Sequence, residues 1–198
     1  MKHSSLDPFE QLIAHIRETV TLSESDTHLI TEKFQIKELK KKEFLLQPGD
    51  IIVHARFIVV GCIRNFYIDV DGQERILQFG LENGWINDLY SYLTQTPAKY
   101  FLQALEPSLL LQIRKEDFEQ LYKEVPAMER FMRIKIQKTY ALLQNRTINL
   151  MSQTAEERYK DFLAKHPDIE QRVPQYMIAS YLGISPEFLS SIRKNLAL

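Results

Sequence analysis

The sequence predicts an α+β chain: short antiparallel strands forming a sandwich, jelly roll or barrel (a β-roll), one long helix, and a C-terminal helix-turn-helix. Three observations predict this. From about Ile36 to Ile113, short β-rich runs alternate with turn residues, the texture of an all-β unit. From about Pro126 to Met151, apolar residues recur at helical spacing over a length of roughly 37 Å at 1.5 Å per residue. Residues 175–193 meet together the separate requirements of two crossed helices.

The first forty residues read as helical. Asp7 caps a helix with Pro8 in its first position, and Phe9, Leu12, Ile13 and Ile16 share a face. A second short helix starts near Ser25-Asp26 and carries Leu29, Ile30 and Phe34. The β region is punctuated by Gln47-Pro48-Gly49-Asp50, Asp71-Gly72 and Glu82-Asn83-Gly84. Asp-Gly between two β runs marks a hairpin, because the turn needs positive φ. A helix follows from Lys115 to Lys123, and then the long one.

That long helix is apolar on two faces. Ala127, Ile134, Ala141 and Ile148 repeat every seven residues, and Met128, Phe131, Met132, Leu142, Leu143 and Leu150 form a neighbouring set. Two apolar faces need two covers: the chain's own β unit and a partner helix, or, in the competing reading, the interior of a monomer that buries the whole helix. A homodimer interface is therefore expected at Phe131, Ile134, Ala141 and Ile148. Lys138 and Asn145 interrupt the seam, so a regular heptad coil is not expected. The domain division is 1–125, 126–151 and 152–198. Thr154-Ala155-Glu156-Glu157 is a capping box that opens a further helix, and Asp168–Val173 reads as a linker.

Composition narrows the classes. With 198 residues, 44% hydrophobic and 26% charged, the chain is of ordinary globular make-up. No apolar run reaches the ~18 residues that span a bilayer, so no membrane association is expected. The N-terminal segment from Met1 lacks a signal-peptide pattern, and the single cysteine, Cys62, permits neither an internal disulfide nor a thiolate cluster. A cytoplasmic protein without a metal is expected. The net charge of −1, and a balance of six basic and six acidic residues over 151–198, predict modest non-specific affinity for nucleic acid.

The most informative stretch is Gln175 to Arg193. Ala179 supplies the small residue where the helices cross, and Gly183 supplies the turn. Ile178, Leu182, Ile184, Leu189 and Ile192 join the helices, while Ser185 caps the second one with Pro186 in its first position. On that second helix Phe188, Leu189, Ile192 and Leu196 fall on one arc; Glu187, Ser190, Ser191 and Lys194 fall opposite. Glu accepts from cytosine N4 and Ser pairs either way, whereas Lys194 and the flanking Arg193 suit phosphates. Gln175, Tyr176, Ser185 and Pro186 complete the expected contact surface with double-stranded DNA. The competing structural reading is a plain helical hairpin with a solvated face.

A β-roll, a long helix and a helix-turn-helix in this order resemble the catabolite-activator (CRP/FNR) family of transcription factors. The marks are Gln47-Pro48-Gly49-Asp50, Ile58-Val59-Val60-Gly61-Cys62-Ile63-Arg64, Asp71-Gly72-Gln73-Glu74 and the terminal motif. The resemblance implies a cyclic-nucleotide-binding-like roll, a parallel dimer, a two-fold-related operator, RNA polymerase as a further partner, and no enzymatic activity. Cyclic-nucleotide binders of this fold carry Gly-Glu-Leu followed by Arg-Ser or Arg-Thr. Here Asn87-Asp88-Leu89 stands in the first position, and Ala98-Lys99 offers no arginine in the second. Cyclic AMP is therefore not expected as a ligand, and the effector, if the roll takes one, is another small molecule. An iron–sulfur sensor is excluded by the cysteine count, and His54 alone is a weak candidate for a haem ligand. The sequence ends at Leu198, short of the strand pair that in many members follows the second helix, so fewer backbone contacts are expected.

Two rivals remain. A metal enzyme on a cupin-type roll needs several histidines, and only His54 lies in the β region. A ligand-binding regulatory module could instead use its C-terminal helices to contact protein rather than DNA.

Overall fold

The computed structural model describes residues 7–196; Met1–Leu6, whose sequence bears on the signal-peptide expectation, lie outside the described residues. The described chain divides into two compact units, residues 7–65 with 79–137, and residues 66–78 with 138–196. The sequence division at 125/126 placed residues 66–78 with the roll; their packing groups them with the C-terminal helices.

In the first unit, α1 (Pro8–Arg17) begins where the Asp7 carboxylate accepts from the N–H groups of Phe9 and Glu10 at 2.8 and 3.3 Å. α2 (Glu24–Lys33) is opened by a reciprocal box between Ser23 and Asp26. Seven strands follow among the described residues: β1 (Gln35–Leu39), β2 (Phe44–Leu46), β3 (His54–Val60), β4 (Ile63–Ile68), β5 (Glu74–Gly80), β6 (Phe101–Ala104) and β7 (Ser108–Arg114). They form two sheets, ordered β1-β7-β3 and β2-β6-β4-β5. β7 runs antiparallel to both its neighbours, with Lys37 opposite Leu110 and Phe57 opposite Leu111. Gly61, at φ +115°, joins β3 to β4. Any side chain there would also collide with Ser108, whose Oγ lies 2.1 Å from the place of a Cβ. The expected β-roll between Ile36 and Ile113 is thus present. A short helix not anticipated from the sequence, α3 (Leu89–Thr94), interrupts it.

α4 (Lys115–Glu124) and the 27-residue α5 (Pro126–Ser152) follow. The core of this unit joins the strands to Leu12, Ile16, Phe118, Leu121, Met128 and Phe131. Phe131 corrects an expectation. It is wholly buried, edge-on to His15 at 5.7 Å and 6.1 Å from Trp85, so it belongs to its own chain's core and not to a seam. Ile134 is half-buried, whereas Ala141 and Ile148 remain exposed.

In the second unit, α6 (Ala155–Lys165) starts at the predicted capping box, where Thr154 and Glu157 satisfy each other's N–H groups. The expected linker contains a helical turn, α7 (Ile169–Arg172). α8 (Gln175–Leu182) and α9 (Pro186–Asn195) flank Gly183, which holds φ +71°. The tip of the β4–β5 hairpin is a five-residue turn rather than a bare Asp-Gly pair. Asp69 organises it, accepting from the N–H groups of Asp71 and Gln73 and from Arg75 Nε at 2.6 Å.

Candidate nucleic-acid interface and effector pocket

The α8–α9 pair is built from its buried side. Ile178, Ala179, Leu182, Leu189 and Ile192 are buried, and the small Ala179 lets the turn close on its carbonyl through the N–H of Ile184 at 3.0 Å. Ser185 Oγ accepts from the N–H of Phe188 at 3.1 Å and fixes the start of α9. The negative end of α8 is held by two guanidinium groups. Arg146 donates to the Tyr181 carbonyl and stacks 4.0 Å over the Tyr181 ring, and Arg158 donates to the Leu182 carbonyl. Arg146 also donates to Leu77 of β5.

This arrangement leaves a defined outer face. Gln175, Tyr176, Ser185, Pro186, Glu187, Ser191 and Lys194 are exposed, and Ser190 is half-exposed. Lys194 makes no ion pair among the described residues, whereas the Arg193 Nε lies 3.2 Å from Glu170. Glu170 also accepts from the Tyr159 hydroxyl at 2.6 Å; burial and this carboxylate push the phenol up to about 12. Arg193 is thus partly committed inside the unit, and Lys194 is the freer cation. Glu187 is held below the ordinary carboxylate range by its own backbone N–H and by the Ser185 hydroxyl, so it is ionised at neutral pH.

One side chain departs from its expected side. Phe188, placed by helical angle among the joining residues, is 53% exposed. It lies at the edge of the apolar arc of α9. Its exposure beside Glu187 was the signal that angular sorting missed.

The residues expected at an effector pocket all lie in the first unit. Asp88 is 3% exposed, and its carboxylate caps α3, accepting from the N–H of Ser91 at 3.2 Å and from its hydroxyl at 2.9 Å. Asn87 donates to the His54 carbonyl at 3.1 Å and accepts from Arg56 at 3.3 Å. Leu89 is exposed. Ala98 is buried and pairs through its backbone with Gly49 and Asp50. Lys99 is exposed, with its Nζ 5.8 Å from the centre of the Tyr90 ring. The sequence reading overlooked Arg56, a buried guanidinium hidden in what looked like an ordinary strand.

A helix-flanked β-roll followed by a long helix and a terminal helical pair defines the class by architecture. Residues 36–125 match the cyclic nucleotide-binding domain family, and over the chain as a whole the fold is that of the CRP/FNR regulators. The structure is similar to the c-di-GMP responsive global regulator CLP of Xanthomonas campestris, at 14% identity, covering 88% of this chain and 92% of that one with a TM-score of 0.71. It is similar to FixK2 of Bradyrhizobium japonicum at 17% identity, covering 83% and 84%, also with a TM-score of 0.71. The catabolite activator protein of Thermus thermophilus aligns at 19% identity over 96% and 87% with a TM-score of 0.55. No sequence among the curated proteins matches the chain. No described helix is long and apolar enough to cross a membrane.

Proposed function

We propose that the chain is a cytoplasmic, homodimeric, sequence-specific DNA-binding transcription regulator of the CRP/FNR type, without enzymatic activity. The observation that carries this reading is the α8–α9 pair: joined by buried Leu182, Leu189 and Ile192, turned at Gly183, and presenting Glu187, Ser191 and Lys194 outward. In this reading the pair is a helix-turn-helix. Glu187, Ser190 and Ser191 of α9 meet base edges, and Lys194 meets phosphate. The exposed apolar residues of α5, including Ile148 at 59% and Leu143 at 58%, support a partner helix. RNA polymerase is the further partner this role requires.

The roll is proposed not to take cyclic AMP. Asp88 is committed to Ser91, and Lys99 stands at Tyr90 rather than beside Asp88 in any ion pair.

Gel retardation on random duplex, followed by site selection, tests the reading. The expected result is a two-fold-related site with half-sites about 34 Å apart, one helical turn. Absence of retardation at low salt would favour the second reading, a module whose C-terminal helices contact protein. The exposed rings of Tyr176 and Phe188 support that alternative.

A further inference from the structure

We propose that the interior of the β-roll binds a small organic carboxylate, with the Arg56 guanidinium of β3 as the group that takes it. This rests on reading the first unit as an effector domain.

Arg56 is 7% exposed. Alternation along β3 puts Arg56 and Ile58 on one face and Ala55 and Phe57 on the other. Ile58 shows where the first face looks: a Cβ on Gly80, in the second sheet, would lie 2.7 Å from Ile58 Cδ1 and 3.2 Å from Ile86 Cδ1. Phe57 looks the other way, toward the His15 ring at 5.4 Å. The guanidinium is therefore directed between the two sheets.

A buried charge is costly unless it is paired. Among the described residues Arg56 has no carboxylate within ion-pair distance, and the one hydrogen bond of its guanidinium is the long Nη1 contact of 3.3 Å to Asn87 Oδ1. Its Nε is buried without a partner. Burial pulls its pKa down to about 10, opposed only by the longer-range attraction of Asp50, and it stays charged at neutral pH. With Nη1 engaged, Nε and Nη2 remain, and their parallel N–H groups form the fork that takes both oxygens of a carboxylate. Asn87, anchored to the His54 carbonyl, holds that fork in orientation.

Charge selects the ligand. Lys115 Nζ is committed to the Tyr92 carbonyl at 3.0 Å, and Lys99 is exposed at Tyr90. His54 is held below its ordinary value by burial and then by Arg56, so it is neutral at pH 7. One uncompensated positive charge beside Ile58 and Ile86 matches a monoanion with an apolar body better than a phosphate dianion. Because Nε is sealed from water, binding is coupled to movement of the side chains that cover it.

Butyrate is the probe, added to the full chain and followed by calorimetry and by the Arg56 Nε–H resonance. The wild type is expected to bind butyrate saturably, in preference to phosphate or chloride at equal ionic strength, and the resonance is expected to shift. Arg56→Met is expected to keep or raise the Tm, since it removes an unpaired buried charge, and to lose butyrate binding; Lys99→Ala is expected to retain it. Absence of saturable binding in the wild type, or equal binding by Arg56→Met, overturns the proposal. A preference for phosphate overturns the ligand class. If Arg56→Met does not fold, the wild-type Nε shift decides. DNA retardation by the wild type on the same preparation separates the two readings: no butyrate binding with intact retardation rejects the site alone, and butyrate binding without retardation rejects the DNA reading alone.

Discussion

The Ser180 hydroxyl of α8 accepts a hydrogen bond from the N–H of Ile76 at 3.0 Å and donates to the carbonyl of Glu74 at 3.1 Å, so one side chain satisfies the free edge of β5. β5 ends its sheet, and its outward N–H and carbonyl would otherwise need water or another strand. Ser180→Ala is expected to cost about 1 kcal/mol and to speed exchange of the Ile76 amide. Hydrogen exchange read by amide resonance checks this; unchanged protection of Ile76 would show that the edge is held by other contacts.

His15 makes the first unit sensitive to acid. Both ring nitrogens are buried, Nδ1 lies 3.4 Å from a Glu18 carboxylate oxygen, and the ring packs against Phe57 and Phe131. Burial, and then Lys135, hold its pKa below the ordinary 6.5. Above that value the ring is neutral in both folded and unfolded chains. As the pH falls below it, the unfolded chain takes a proton that the folded chain refuses, and stability is lost until the folded pKa is passed. The slope per histidine is at most about 1.4 kcal/mol per pH unit. His54, in the same unit, is shifted in the same direction and adds to the effect. His15→Phe is expected to flatten the loss of Tm between pH 7 and 5 without abolishing it. An unaltered pH profile would count against His15 as a contributor.

The dimer expectation now rests on the outer residues of α5. Ala141 and Ile148 are exposed, and so are Ile136, Tyr140 and Leu143, whereas Phe131 is spent on its own core. Replacing Ala141 and Ile148 together by Glu is expected to give monomers in light scattering while leaving the roll folded, because neither side chain is buried in the single chain. A dimer of unchanged mass would place the interface on another face.

The legible parts of the fold were those written in local chemistry. Asp7-Pro8, Thr154 with Glu157 and Ser185-Pro186 mark helix starts because each satisfies N–H groups within three residues. Gly183 marks the turn because only its φ is tolerated there without strain. What stayed hidden depends on distant partners. Asp88 stands where the family's cyclic-nucleotide binders carry glutamate, and its role as the cap of α3 depends on a helix that the sequence reading does not anticipate. Phe131 shares its helix with exposed Ile148, and only tertiary packing against His15 and Trp85 separates their roles. The burial of Arg56 depends on the second sheet and on Asn87, 31 positions away.

Glu187 and Lys194 lie on the outer side of α9 and are expected to act in different ways. Glu187 stands in the first turn, ionised, where it can accept from cytosine N4. Glu187→Ala is expected to change the preferred base at one position in each half-site and to cost about 1–3 kcal/mol on the native site. Lys194 stands in the last turn, exposed and without an ion pair among the described residues. Lys194→Ala is expected to weaken all sequences alike and to lower the salt slope by about one unit per half-site, because one phosphate contact and its released counterion are lost. Arg193→Ala separates phosphate contact from internal support: its link to Glu170 predicts a lower Tm as well as weaker binding. A site library measured at two salt concentrations distinguishes the three variants. If Glu187→Ala keeps the preferred sequence and Lys194→Ala keeps the salt slope, α9 is not the element that reads DNA, and the exposed face with Tyr176 and Phe188 belongs to a protein contact instead.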